Sequence, residues 1–243
     1  MLLRFTAAIL FAVAFAGNAP AKQLRFSGYD FKIKQGQGMG PGPNDWATSQ
    51  AFVDGKGRLH LRFSEKRGKW LAGEAQSVSK LGFGTYEIEF DGDINGQDKN
   101  VVFGFFNYPS SDVGPDGTHE IDIEFARWGI HNYKPLNYTV WPAKKGIKNA
   151  HKVFSFRTGR GRSLHRFTWK PDSVTYESAE IEEDESIGRQ TYWAFTPANP
   201  AYRISASPMP IYFNLWGFRG KPPSDGKPVE VIINRFTYTP LTD

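Results

Sequence analysis

The chain contains no cysteine. Disulfides are therefore excluded as a source of stability. Long apolar runs are almost absent too. The one that stands out, residues 7–16, is too short to span a bilayer. Arg4 precedes it and Ala19-Pro20-Ala21 follows it, a small-x-small pattern before a cut. Residues 1–21 thus read as a secretory signal peptide, with Lys22 as the expected mature start and a secreted or periplasmic product. No basic stop-transfer flank follows the run, so no membrane association is expected after processing. A helical period is hard to find after residue 21, and there is no internal repeat and no linker. The five histidines show no metal-ligand spacing. Net charge is mild, +5, falling to +4 when Arg4 leaves with the leader. With no nucleic-acid motif to accompany it, that charge argues against a nucleic-acid partner. The basic stretch 144–166 reads as a solvated face. Attraction of an anionic polymer is the minority alternative.

What the sequence does have is short alternation of apolar and polar residues between Gly, Pro, Asn and Asp. Segments 59–63, 84–90, 100–108, 119–125, 135–141, 164–169, 173–178, 210–216 and 229–239 read as strands. Lys170-Pro171-Asp172 marks a turn, 39–44 a Gly/Pro loop, and 178–186 an acidic hairpin or loop. Many short strands at this spacing predict one all-β domain over residues 22–243, a sandwich or barrel of antiparallel strands. Aromatics make up 15% of the chain. In a β protein most of them fill core, and some can stack on sugar rings.

Residues 118–125, THEIDIEF, carry three carboxylates at alternate positions, Glu120, Asp122 and Glu124. On a strand all three share one face, while Ile121, Ile123 and Phe125 share the other. Acidic residues are poor strand formers, and like charges in a row repel. Three readings compete: an exposed acidic face, a hard-cation site, and a carboxylate pair for glycoside cleavage. A straight strand wraps an ion poorly. Two glutamates four residues apart have Cα atoms ~13 Å apart, and their side chains can lean to the ~5–6 Å separation of retaining glycosidases.

The flanks carry more. GEAQS (73–77) is followed by LGFGTYEIEF (81–90), VVFGFFNYPS (101–110), LNYTVW (136–141), HRFTWKPDSVTY (165–176), FNLW (213–216) and VIINRFTYTP (231–240). In this order, from about Trp70 to the C-terminus, they resemble glycoside hydrolase family 16, and within it the bacterial lichenases. That resemblance implies a β-jelly-roll sandwich with a concave cleft. It implies a retaining endo-β-glucanase acting on β-1,3-1,4-glucan, with a polysaccharide as partner and no cofactor. A monomer is expected. By position, Glu120 matches the nucleophile, Glu124 the acid/base and Asp122 the assisting aspartate. Glu74, Asn137, Trp216, Phe106 and Tyr108 match cleft-lining positions. Trp141 shares the parity of Asn137 and joins them on alternation alone. The unbulged E-x-D-x-E form, without a cysteine-bearing C-terminal extension, favours a lichenase-like hydrolase. A transglycosylase with the same covalent intermediate and a lectin-like sugar-binding module are the alternatives.

Some positions depart from the family pattern. Thr118 stands where lichenases carry a sugar-stacking Trp, and His119 where they carry Asp. Ser178-Ala179-Glu180 replaces an Asp-Gly turn, which predicts an altered loop. Some members hold a structural calcium on an aspartate where this chain has Asn234. An amide oxygen ligates without charge, so calcium is not expected there.

Overall fold

Strict alternation sends every second side chain inward, which commits a short segment to a strand packed on one face. A computed structural model describes residues 22–92, 97–156 and 161–242, and its described residues are arranged on that principle. The expected signal peptide, residues 1–21, lies outside them. The first strands are β1 (Gln23–Phe26), β2 (Tyr29–Ile33), β3 (Gly36–Met39), β4 (Asn44–Trp46), β5 (Ala51–Val53) and β6 (Leu59–Lys66). Next come β7 (Lys69–Leu81), β8 (Gly84–Asp91), β9 (Val101–Asn107), β10 (Ile121–Ala126), β11 (Leu136–Val140) and β12 (Ala150–Phe154). The chain finishes with β13 (Arg162–Trp169), β14 (Val174–Ile181), β15 (Ile187–Phe195), β16 (Met209–Gly217) and β17 (Val229–Pro240).

Two sheets result. The first runs β1-β2-β7-β16-β9-β10-β11-β12. The second runs β5-β6-β17-β8-β13-β14-β15. The long β7 links them, since its first residues pair with β6 before it enters the first sheet. Pairing is antiparallel throughout, except for the parallel contact of β4 with β7. This is the expected antiparallel jelly-roll sandwich.

The inner faces meet in an aromatic core. Phe103 packs on Phe90 at 5.0 Å between ring centres, Phe105 on Phe167 at 5.4 Å, and Tyr138 on Tyr176 at 4.6 Å. Each of these rings is almost fully buried. Such pairs add about 0.5–1.5 kcal/mol beyond the area they bury. The facing position Ile123 is fully buried as well, so the apolar side of the acidic strand is locked into this core.

One polar network crosses the core. His165 meets Ser178 Oγ through Nδ1 and Ser163 Oγ through Nε2, both at 2.7 Å. Tyr138 donates to Ser178 Oγ at 2.6 Å. Burial pushes the His165 pKa down to about 3, so the ring is neutral at ordinary pH. This network corrects the altered loop expected at Ser178-Ala179-Glu180. Those residues continue β14, with Ser178 turned inward, and the turn comes only after Ile181.

Candidate active site

The outer face of the first sheet carries the chemistry. A cavity of about 790 Å³ opens on it, lined among others by Glu74, Phe106, Tyr108, Glu120, Glu124, Trp141 and Trp216. Strand register explains how residues distant in sequence gather there. Glu124 on β10 lies opposite Gly104 on β9, Gly104 opposite Asn214 on β16, and Asn214 opposite Glu74 on β7. The backbone N–H of Lys34 then donates to the Glu74 carbonyl. A second row runs beside it: Asp122, Phe106, Tyr212, Gln76, Lys32. From β10 to β2 each row crosses four strand spacings, or ~19 Å.

The three acids sit as alternation predicts, with one difference. β10 begins at Ile121, so Glu120 enters from the preceding turn. His119 in that turn has φ +65°, a left-handed conformation uncommon for a residue other than glycine. Two contacts hold it there. Its N–H donates to the Pro142 carbonyl at 3.0 Å, and its Nδ1 lies 2.9 Å from Ser205 Oγ. Thr118 is buried, with its hydroxyl donating to the Pro115 carbonyl at 2.6 Å. The adjoining Asp116 and Gly117 reach the cavity where Thr118 does not.

Burial raises the pKa of all three carboxyls. Glu120 is pushed up to about 8, its ionised form being favoured by a hydrogen bond from Asp122 and opposed by the charges of Glu124 and Asp116. Asp122 is held well above its ordinary value by burial and by the charge of Glu120. Glu124 is likewise well above, through burial first and the charge of Asp122 second. Desolvation thus outranks like charge at Glu124. Glu120 and Glu124 are only half-buried and keep contact with the cavity, so water there offsets part of this effect. Asp122 lies between them at 3% exposure. Trp141 donates through Nε1 to Asp122 Oδ2 at 2.9 Å, while Asp122 Oδ1 has no aligned partner. The Glu120 carboxyl is nevertheless close enough for a proton on Asp122 to favour ionised Glu120.

At the far end of the first row, Glu74 is buried and accepts from Asn214 Nδ2 at 3.3 Å. It also pairs with Lys34 at 3.1 Å. Burial raises its pKa, and the Lys34 charge opposes the shift. Phe106 and Tyr212 stack with ring centres 5.2 Å apart and planes 13° apart, giving the cavity an aromatic floor.

Asn137 is a correction. It faces Glu124 across the strands but does not line the cavity, because its carboxamide is consumed within the sheet. Nδ2 donates to the carbonyls of Ala126 (3.0 Å) and Pro135 (2.9 Å), and Oδ1 accepts from Trp128 Nε1 at 3.1 Å. The asparagine of the cavity is Asn214. Its Oδ1 is buried without a partner. Asn214 and Tyr212 share the parity of Trp216 on β16, a signal present in the sequence. Lys32 and Lys34 carry no such signal, because β2 is short and its register against β7 is a tertiary fact.

The basic stretch 144–166 contributes no residue to the cavity among the described residues. Arg162 pairs with Glu89 and Glu185, and Arg166 with Glu87 and Glu177, all on or beside the second sheet. Asn234 donates through Nδ2 to Asp91 Oδ1 at 2.9 Å. No group of three or more His, Asp or Glu among the described residues is arranged to hold a metal ion.

Gly104 leaves the first row its space. A Cβ there would lie 2.6 Å from Asn214 Oδ1 and 3.2 Å from the Phe106 ring. Gly104→Ala should therefore displace both side chains. Overpacking of this kind costs about 1–3 kcal/mol, within what a domain of this size tolerates. The displacement should lower kcat/KM on the order of tenfold to a hundredfold. Thermal melting beside steady-state kinetics checks both parts, and an unchanged kcat/KM would remove Gly104 from this account.

No family model matches the sequence, and no curated protein sequence matches it. Solved structures do match in fold. The β-glucanase of Bacillus licheniformis aligns over 92% of this chain and 99% of its own, with a TM-score of 0.63 and 21% identity. A family 16 glycoside hydrolase of Bacteroides ovatus, solved with a G4G4G3G product, covers 86% and 94%, with a TM-score of 0.63 and 13% identity. An immunostimulatory antigen and pseudo β-1,3-glucanase of Mycobacterium tuberculosis covers 86% and 91%, with a TM-score of 0.63 and 17% identity. The fold is thus the jelly roll of the family 16 β-glucanases.

Proposed function

We propose that this chain is a family 16 glycoside hydrolase, a secreted, monomeric endo-β-glucanase that cleaves β-1,3-1,4-glucan with retention. One observation carries the reading: two glutamates on the floor of one cavity, separated by a buried aspartate, at the head of two cross-strand rows of polar and aromatic side chains. The fold alone does not decide it, since a protein described as a pseudo-glucanase has the same fold. The carboxylates favour hydrolysis over binding alone. A purely sugar-binding surface has no need of three acids whose burial opposes their ionisation.

The proposed reaction is a double displacement. Glu120, whose ionised form is favoured by a hydrogen bond from Asp122, acts ionised, attacking the anomeric carbon. Glu124, held protonated chiefly by burial, gives its proton to the departing glycosidic oxygen. A glycosyl ester forms on Glu120. Glu124, now a carboxylate, takes a proton from water, whose oxygen attacks the anomeric carbon and frees Glu120. Two inversions leave the β configuration. Phe106 and Tyr212 offer the stacking floor, and Glu74 offers an acceptor for sugar hydroxyls. No step needs a cofactor.

Two features support a neutral polymer. The acids dominate the cavity around the cleavage point, and the basic stretch lies elsewhere. The expected result on a polysaccharide panel is endo-cleavage of lichenan and barley glucan, less or none of laminarin, and none of carboxymethylcellulose or agar. Raising NaCl to about 0.5 M should leave kcat/KM for the glucan nearly unchanged, because screening acts on charged partners. Preferred cleavage of a sulfated galactan that is lost at high salt would overturn the substrate but not the carboxylate chemistry.

A further inference from the structure

We infer that Trp141 is a positioning residue whose indole N–H fixes the Asp122 carboxyl, and through it the ionisation of Glu120. The inference rests on the hydrolase reading above. Trp141 follows β11 directly and holds the acidic strand at two points. Its backbone N–H donates to the Glu120 carbonyl at 2.8 Å, and its Nε1–H donates to Asp122 Oδ2 at 2.9 Å. The indole bond anchors Oδ2, and the carboxyl's other contact is with Glu120. A carboxyl held by one oxygen keeps its other oxygen aimed in a set direction. A carboxyl held by neither turns freely about its Cβ–Cγ bond.

The aim matters because of what lies beside it. A hydrogen bond from Asp122 favours ionised Glu120, while the indole bond favours ionised Asp122, so the indole sets both where the Asp122 carboxyl lies and how readily it gives up its proton. Trp141 also lines the cavity, which gives the competing role of a sugar platform. The two roles separate kinetically. A platform acts on binding. A positioning residue acts on the nucleophile's ionisation and on the chemical step, and its effect vanishes once the Asp122 carboxyl is removed.

The test is Trp141→Phe, which keeps an aromatic ring and deletes the donor. If it fails to fold, β-(3-benzothienyl)alanine at position 141 replaces the N–H with sulfur in the same shape. The expected result on barley glucan is a kcat about tenfold lower, the scale of one hydrogen bond to an ionisable group, with KM within about twofold. The acidic limb of the kcat/KM–pH profile should shift by about one pH unit, because the indole bond that favours ionised Asp122 is gone. In an Asp122→Ala background the same change at 141 should have no further effect on kcat. A raised KM with unchanged kcat and an unmoved acidic limb would make Trp141 a sugar platform and overturn the inference. Equal losses with and without Asp122 would overturn it too. Wild-type protein that cleaves no β-glycan would instead sink the hydrolase reading, a distinguishable failure.

Discussion

Glu120→Gln should fold like the wild type and cleave β-glucan slower by about four orders of magnitude or more, the scale on which an enzyme loses rate without its covalent nucleophile. The amide has the shape of the carboxylate it replaces. It accepts a hydrogen bond through oxygen but cannot attack carbon. Glu124 stays in place and can still donate its proton, so what disappears is the covalent intermediate. The same change should stabilise the fold in a pH-dependent way. Burial raises the Glu120 pKa from 4.5 to about 8. A carboxyl raised on folding holds its proton more tightly in the fold than in the unfolded chain. The stability linked to it is fully present below the unfolded value and is lost as pH rises through the folded one. Wild type should therefore lose stability through this group between about pH 4.5 and pH 8, and Glu120→Gln should not. The Tm difference between the two, near zero at pH 4.5, should favour the variant at pH 8. Retention of a tenth of wild-type activity would end the assignment of Glu120, and a Tm difference that shrinks with pH would end the account of its burial.

How far the sequence carries this site depends on which contacts are local. The acidic strand is legible because its meaning is periodic. Alternation puts Glu120, Asp122 and Glu124 on one side and Ile121, Ile123 and Phe125 on the other, and the strand obeys. Phe106, Tyr108, Glu74, Trp141 and Trp216 line the cavity as expected. Asn137 shows where the method stops. Parity and family position both aim it at the cleft, yet three backbone carbonyls and an indole lie within reach of its carboxamide and take it up. No periodicity reports that competition. Lys32 and Lys34 were illegible for a related reason. They reach the cavity through the register of β2 on β7, a pairing between segments about forty residues apart. β12 and β15, edge strands with charged and exposed residues, do not alternate cleanly, and neither was read as a strand. The Ser178 turn failed differently. A local substitution was read as a loop, whereas the residue's value is a hydroxyl placed between His165 and Tyr138 in the core.

Glu124→Ala separates the two glutamates by what azide does. In this variant Glu120 keeps its charge and its place opposite the anomeric carbon, while the proton donor is gone. Cleavage of native glucan, whose leaving oxygen needs that proton, should drop by about three to four orders of magnitude, the upper range for a lost general acid. An aryl β-glucan oligosaccharide with a good leaving group needs no such help, so Glu120 should still be glycosylated. The ester should then accumulate, because the base that activates water is missing too. Azide attacks without giving up a proton. It should displace Glu120 from the anomeric carbon, speed turnover and yield a β-glycosyl azide through two inversions. Space for it exists, since removal of the Glu124 side chain opens the position opposite Gly104, which carries no side chain of its own. The configuration of the product is what decides between the glutamates. An α-azide arises by a single inversion, with azide standing in for a missing nucleophile. Its appearance in Glu124→Ala would mean that Glu124 is the nucleophile and Glu120 the acid.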